Sequence, residues 1–396
     1  MRRLSLLLAT ATTALCGTLA AQSSEFGVRG LGVPGRELST RALSLEGANG
    51  LFDGGSSINP ASLGSLALPT SMFTSTNTFR SSDNSAGSLA AHDARFPQMM
   101  IAGPIPKHHV AIGVSYSLYT DRDFTVVSNG VESPRGVPVG VHDTLSSRGG
   151  VDDLRLAAAW IINPHLVVGG GFHFLTGSNR MASRRYWDDT TYLSPQQTAE
   201  LSYRGNGVSL GVLWQPVKGV ELAGAFRHDG TLGVGRDSTG LGTVLVPTST
   251  IGNVDLPTTL SAGVRVTTIP RLSFAGSVIS RNWSIADPGI VAQGAIGAQN
   301  TIDLSVGAEF TRNAKRPSKL PLRLGLRYAT LPFLLLSDPQ PSEFDLSIGT
   351  GIRFAGDRGD FDLALEHVNR HEGSAFTETA WQFTFGIAVR TGGLGQ

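Results

Sequence analysis

Apolar and polar residues alternate one for one along much of this chain, the pattern of a strand with one face buried. Phe344, Leu346, Ile348, Ile352 and Phe354 alternate with Asp345, Ser347, Gly349, Gly351 and Arg353. Trp381, Phe383, Phe385, Ile387 and Val389 alternate with Gln382, Thr384, Gly386, Ala388 and Arg390, and residues 302–310 and 322–328 behave alike. Weaker alternation runs through 108–119, 151–162, 165–176, 200–214, 219–228, 257–268, 271–283 and 359–368, and two earlier strands are expected at 72–80 and 95–103. The pattern thus predicts fourteen strands, most of them 9 to 13 residues long. A tilted strand needs about 9–11 residues to cross a bilayer.

The connections alternate in length. Short turns are expected at Pro104–Lys107, Asn163–Pro164, Pro216–Lys218, Pro270, Asn313–Lys319 and Gly356–Arg358. Long loops are expected at 81–94, 120–150, 177–199, 229–256, 284–300, 332–343 and 369–377. An even strand count with short turns at one end and long loops at the other describes an outer-membrane barrel. Aromatic residues fall in two bands, Trp160, Trp214, Phe310, Phe354 and Phe361 at the inner rim, and Tyr116, Phe172, Phe226, Tyr328, Phe344 and Trp381 at the outer. Such girdles suit the two lipid interfaces. Lys107, Lys218, Lys315 and Lys319, the only lysines, all lie in expected short turns. The fold class is therefore all-β, a 14-stranded antiparallel transmembrane β-barrel over 72–390, followed by a tail at 391–396.

Positions that alternate with the lipid-facing set carry charges of both signs. Arg155, Arg227, Arg265, Arg323, Arg327 and Arg353 are expected in the lumen with Glu221, Asp303, Glu309, Asp345, Asp362 and Glu366. Charges enclosed together should pair, as a packed polar network or as the lining of a watery channel.

Composition narrows the class further. Only 16% of residues are charged and the formal net charge is +1, which argues against a nucleic-acid partner. Arg2 and Arg3, the apolar run to Leu19, and Ala20-Ala21 before Gln22 make residues 1–21 a signal peptide. Removing those two arginines takes the charge from +1 to −1, and Cys16, the single cysteine, leaves with them. In the remainder, the longest apolar stretch, 154–162, is broken by Arg155 and stopped by Pro164. Any membrane entry must then use a closed barrel, which satisfies every backbone group in lipid.

Residues 22–71 show no period of two and are punctuated by Gly30, Gly32, Gly35, Gly50, Gly54 and Gly55. Asn59 followed by Pro60 reads as an N-cap and first helical position, predicting a short helix from Pro60 to about Leu66. Such a segment is either a plug in the lumen or a periplasmic appendage. Two motifs, one in this segment and one in the expected strand 200–214, invite enzymatic readings. Gly30-Leu31-Gly32-Val33-Pro34-Gly35 matches G-x-G-x-x-G but lacks the strand before and helix after that a dinucleotide site needs. Gly207-Val208-Ser209-Leu210-Gly211 matches G-x-S-x-G, yet the alternation runs straight through Ser209 instead of turning into a helix. His108-His109 and Asp188-Asp189 read as a polar turn and a solvated loop, so no metal site, no cofactor and no enzymatic activity are expected.

Residues 41–48 through Asn59-Pro60-Ala61 resemble the N-terminal hatch of the outer-membrane long-chain fatty-acid and hydrocarbon transporter family, the FadL-type channels. Gly205 to Pro216, Leu256-Pro257, Trp283, Arg323 to Tyr328 and Asp360 to Ala364 are similar to further short stretches of that family, in order. The resemblance implies fourteen strands, a hatch over 22–71 containing Asn59, Pro60 and Ala61, and an open lateral window. It implies passive uptake of a fatty acid or other hydrophobic small molecule across the lipopolysaccharide leaflet of the bacterial outer membrane. Some shorter relatives instead serve as secretion-system partners, the alternative function. Leu331, Phe333, Leu334, Leu335 and Leu336 form an apolar run in an otherwise external loop, a candidate ligand-capture groove. Because the chain ends Gly392 to Gln396, the signal read by the outer-membrane assembly machinery is expected near Phe383 and Phe385.

Overall fold

A computed structural model describes residues 24–84, 87–241, 253–291, 296–312, 320–335, 339–356, 358–374 and 376–391. The signal-peptide, Lys315, Lys319 and Leu336 readings lie outside them. Fourteen strands form the wall. In chain order they are β1 (Thr70–Asn84), β2 (Gly87–Pro104), β3 (Val110–Asp121, resumed at Phe124–Glu132), β4 (Val139–Asn163) and β5 (Leu166–Trp187). Next come β6 (Gln196–Val217), β7 (Val220–Asp229, resumed at Thr231–Leu241), β8 (Thr258–Val266), β9 (Leu272–Arg281) and β10 (Thr301–Phe310). The wall ends with β11 (Leu322–Thr330), β12 (Ser342–Phe354), β13 (Gly359–Glu372) and β14 (Phe376–Arg390). Each strand pairs antiparallel with the next, and β14 returns to β1 along the register Arg390↔Thr70 to Phe376↔Asn84, which closes the ring.

The alternation places residues as expected. In β11, Leu322, Leu324, Leu326 and Tyr328 are exposed while Arg323, Arg327 and Ala329 are buried. The exposed face of the protein is thus its apolar face, the reverse of a soluble domain, and this is the surface that lipid covers. Trp160, Trp214, Phe310, Phe354, Tyr116, Phe172, Phe226, Tyr328, Phe344 and Trp381 all point outward. Among the described residues no helix is long and apolar enough to cross a membrane.

Strand lengths depart from expectation. Most of 81–94, 120–150 and 177–199 is strand, not loop: β4 runs for 25 residues and β5 and β6 for 22 each. Such strands outrun the hydrocarbon core, and beyond it water wets both faces. The first barrel strand begins at Thr70, two residues ahead of the expected boundary. Trp283 does not close a strand; it lies past Arg281 in a short turn, Trp283–Ala286, and is buried.

The chain ahead of β1 threads the inside of the ring. Phe26 packs with Leu331 and Phe376 at the long-loop end. Leu38, Ala42 and Leu43 then pack on Ala364, and Leu51 and Phe52 on Ala223. Leu63 finally sits among Met100, Ala102, Ala111, Ala157 and Ala159 at the short-turn end. Six of those wall positions, Ala102, Ala111, Ala157, Ala159, Ala223 and Ala364, are alanines, which leaves room for the side chains packed on them.

Candidate functional site

The wall is split between β2 and β3. These strands pair only from Pro104↔Ala111 to Gln98↔Ser117. Above that, residues 87–95 of β2 pair with β1 alone, while β3 breaks at Arg122-Asp123 and its second half, Phe124–Glu132, pairs with β4. A cavity of about 630 Å³ opens at the split, lined by Phe96, Met99, Tyr116, Leu118, Asp121 and Asp152 among others. One side chain spans it: Arg95 of β2 forms ion pairs with Asp93 on its own strand and with Asp121 and Asp123 on β3, the last at 2.7 Å. The Asp121 side chain also accepts the Asp123 N–H at 3.0 Å, and Asp123 accepts that of Gly149, which fixes the break itself.

The N-terminal segment occupies the edge that β2 has left. Val33 and Pro34 pair with Asp121 and Thr120, and the Gly35 N–H donates to the Tyr119 carbonyl at 2.8 Å. This accounts for the G-x-G-x-x-G run. Gly32 has φ +92, and a Cβ there would overlap the Asp121 carbonyl, so the motif serves close approach of two backbones and not a phosphate.

Asn59, Pro60 and Ala61 lie where the segment meets β5 and β6. The Asn59 side chain accepts the Ala61 N–H at 3.0 Å, capping a 3₁₀ helix at Pro60–Ser65. Its amide also donates to the Leu51 carbonyl at 2.9 Å. Gly211 of β6 lies directly beneath; a Cβ there would overlap the Asn59 carboxamide oxygen.

Every lumen arginine expected from the alternation is held. Arg327 binds Asp303 at 2.9 Å and Asp345 at 2.5 Å, with Glu343 as a third partner. Arg323 joins Glu309 at 2.7 Å to Asp362 at 2.6 Å. Arg155 donates to the Ser57 carbonyl at 2.6 Å and Arg265 pairs with Glu221. Arg353 meets Asp360 at 3.1 Å near the short-turn rim, where it is partly exposed. Arg227 holds Asp153 and Asp229, each at 2.8 Å, and Glu37 of the N-terminal segment at 2.7 Å. Burial pushes the Glu37 carboxyl above its ordinary pKa, against the pull of Arg227. Further ties run from Arg41 to Glu309 (3.0 Å) and from Arg36 to Glu366 (3.4 Å), so ion pairs bind the segment to several strands.

The apolar run in the external loop is not exposed. Leu331, Phe333 and Leu334 are buried and Leu335 is partly buried. Leu331 packs on Phe26, and the Phe333 ring meets Trp283 edge-on at 5.3 Å inside a cluster that includes Leu31, Leu175 and Leu256. The segment threading the lumen covers these residues, a contact that loop position alone could not disclose.

One arrangement escaped the sequence. His173 of β5 bonds Asp153 of β4 through Nδ1 (2.7 Å) and Ser209 of β6 through Nε2 (2.9 Å), all three buried. The residues are far apart in sequence and come together only by register. Ser209 pairs with Gly171 on one side and Arg227 on the other, so this part of β6 is held in the sheet on both edges. Ladder amides cannot also cradle an oxyanion. The relay ties three strands together.

No family model matches the sequence, and no curated protein sequence matches it. Among solved structures, the barrel is similar to a Pseudomonas aeruginosa FadL homologue (TM-score 0.61, 12% identity, covering 91% of this chain and 99% of that one). It is also similar to the Pseudomonas putida toluene transporter TodX (0.57, 12%, 92% and 100%) and to the CymD monoaromatic hydrocarbon channel (0.55, 15%, 92% and 99%). The chain has the FadL-type fold, that of bacterial outer-membrane barrels.

Proposed function

We propose that this FadL-fold barrel takes up hydrophobic small molecules passively, and that they leave sideways through the split between β2 and β3. The observation that carries this reading is the split itself, with Phe96, Met99, Tyr116 and Leu118 at its lips. The rest of the lumen is crowded with ion pairs, where an apolar solute gains nothing from displacing water or protein charges. A lateral exit delivers the solute to lipid before it meets them. Residues 24–66 act as the hatch, with Asn59, Pro60 and Ala61 anchoring its lower end. Leu331, Phe333, Leu334 and Leu335 line the capture region once the segment against them shifts. The solved relatives described as toluene and monoaromatic hydrocarbon channels support this substrate class.

Uptake of labelled toluene and of a long-chain fatty acid by cells carrying the protein tests the reading. Leu118→Asp makes the split polar while leaving the ladder of β3 in place, and should cut uptake severely with the barrel still folded. Undiminished uptake would overturn the lateral route. The dense buried charge network favours a second reading, a closed scaffold that serves a secretion partner. That reading requires no hydrophobic uptake at all, and loss of a partner protein's export when the barrel is removed.

A further inference from the structure

On β4, β5 and β6 the outward face changes character at one level. Its apolar part ends at Leu154 and Phe174, which lie opposite each other, and at Val208, opposite Phe172, all four exposed. The next outward row is Asp152, Thr176 and Arg204, and above it Ser178 faces Ser202. Then come Arg148, Arg180 and Glu200 side by side, and four residues further along β5 stands Arg184. All four arginines are exposed. Arg148 and Arg180 are directly opposite, an arrangement that costs stability between like charges. Glu200 lies 3.5 Å from Arg180, but Arg148, Arg184 and Arg204 make no ion pair or hydrogen bond with any described residue. In the lumen, Arg323 and Arg327 each take two or more carboxylates. The outward arginines are arranged for anions that the chain does not supply.

Their position selects the anion. The patch continues the lipid-covered face without a break, and the Phe172 and Phe174 rings pack edge-on at 4.7 Å just below it. Whatever meets these arginines therefore has its apolar part in the membrane. Arg204, Arg180 and Arg184 sit at four-residue steps, about 13 Å apart at the rise of a strand. A phospholipid with one phosphate would fill one step and leave the others unmatched. A wide sugar head group with phosphates at separate points reaches more than one, and guanidinium forks suit phosphate oxygens. We propose that this face binds the phosphorylated saccharide head group of lipopolysaccharide. Its phosphates lie on Arg148, Arg180 and Arg204, its sugar hydroxyls on Thr176 and Ser202, and its acyl chains along the two phenylalanine rings. The site is outside the lumen and does not depend on the uptake reading.

Native mass spectrometry of the purified full-length barrel, released from a non-ionic detergent, tests it. The probes are a deep-rough lipopolysaccharide, the same lipid stripped of phosphate, and phosphatidylglycerol. The phosphorylated form should bind at least about tenfold more tightly than either of the others, the size of one charge-assisted hydrogen bond. Arg148→Gln with Arg180→Gln should abolish that preference, and Arg204→Gln should weaken it several-fold. Arg135→Gln with Lys218→Gln removes as much charge elsewhere and should leave it unchanged. Ser202→Glu, which keeps every arginine and sets a carboxylate in the middle of the patch, should also lower it, and stands in if the double variant does not fold. Equal binding of the phosphorylated and stripped lipids, or a preference that survives the arginine variants, overturns the site. An equal loss in the Arg135 and Lys218 variant reduces it to bulk charge, and phosphatidylglycerol binding as tightly overturns the saccharide assignment.

Discussion

Arg95 on β2 and Asp121 at the end of β3 form an ion pair across a stretch of wall where no backbone hydrogen bonds join the two strands. Asp93 and Asp123 converge on the same guanidinium, so three carboxylates share one cation. Without that cation, the carboxylates of β2 and β3 would repel each other and the strands would part.

Replacing Arg95 by Met should therefore loosen the split from its lips downward. Amides of 115–124 should exchange hydrogen about ten- to a hundredfold faster, as expected for the loss of a charged hydrogen bond. Those of β13 and β14, on the far side of β1, should not change. Exchange mass spectrometry reads both regions at once, and equal rates in variant and parent would show that Arg95 does not hold the split.

Asn59→Ala removes the cap of the 3₁₀ helix and the donor to Leu51. A lost cap costs about 0.5–2 kcal/mol, which falls on the segment and not on a wall held by its own ladder. A thiol introduced at Ser62, buried in the parent, should label faster in the Asn59→Ala background. Heat-modifiable mobility of the barrel should stay as it was.

The two faces of β11 should respond oppositely to charge. Leu324→Arg puts a cation against lipid, a cost of about 2–4 kcal/mol near the bilayer midplane. Arg327→Leu adds apolar bulk to the lumen but strands Asp303, Glu343 and Asp345, and breaking a buried pair costs about 3–5 kcal/mol. Both should lower the urea midpoint in lipid vesicles. Adding Glu343→Gln and Asp345→Asn should recover much of the Arg327→Leu loss and none of the Leu324→Arg loss.

Epitope tags test orientation. A tag within 133–138, at the tip of the hairpin formed by β3 and β4, should be reached by antibody on intact cells, and a tag between β12 and β13 should be reached only after permeabilisation. The reverse pattern would turn the barrel upside down.

The wall was legible in the sequence wherever lipid touches it, because lipid demands apolar residues at every second position. It was not legible at 140–148, where His142, Asp143, Thr144, Ser146, Ser147 and Arg148 extend β4 above the membrane and neither face must be apolar. Asn59 could be read because capping is local chemistry. The split could not, since it is a pairing that fails to form. The burial of Leu331 and Phe333 likewise depends on a segment some 300 residues away in the chain.

The closing seam between β1 and β14 joins residues 84 and 376 at one end and 70 and 390 at the other. Among the described residues no other strand pairing spans so much of the chain, and long-range pairings carry the largest loop-closure cost. The ring can therefore zip shut only after β14 has been made. The segment that ends inside the lumen is synthesised first and joins directly to the seam strand β1. While the sheet is still an open trough, its concave face offers Ala223, Ala364 and the lumen carboxylates to that segment as a docking surface. The N-terminal segment is then also the mould around which the sheet curls, and its absence should slow closure even if the empty barrel, once closed, endures.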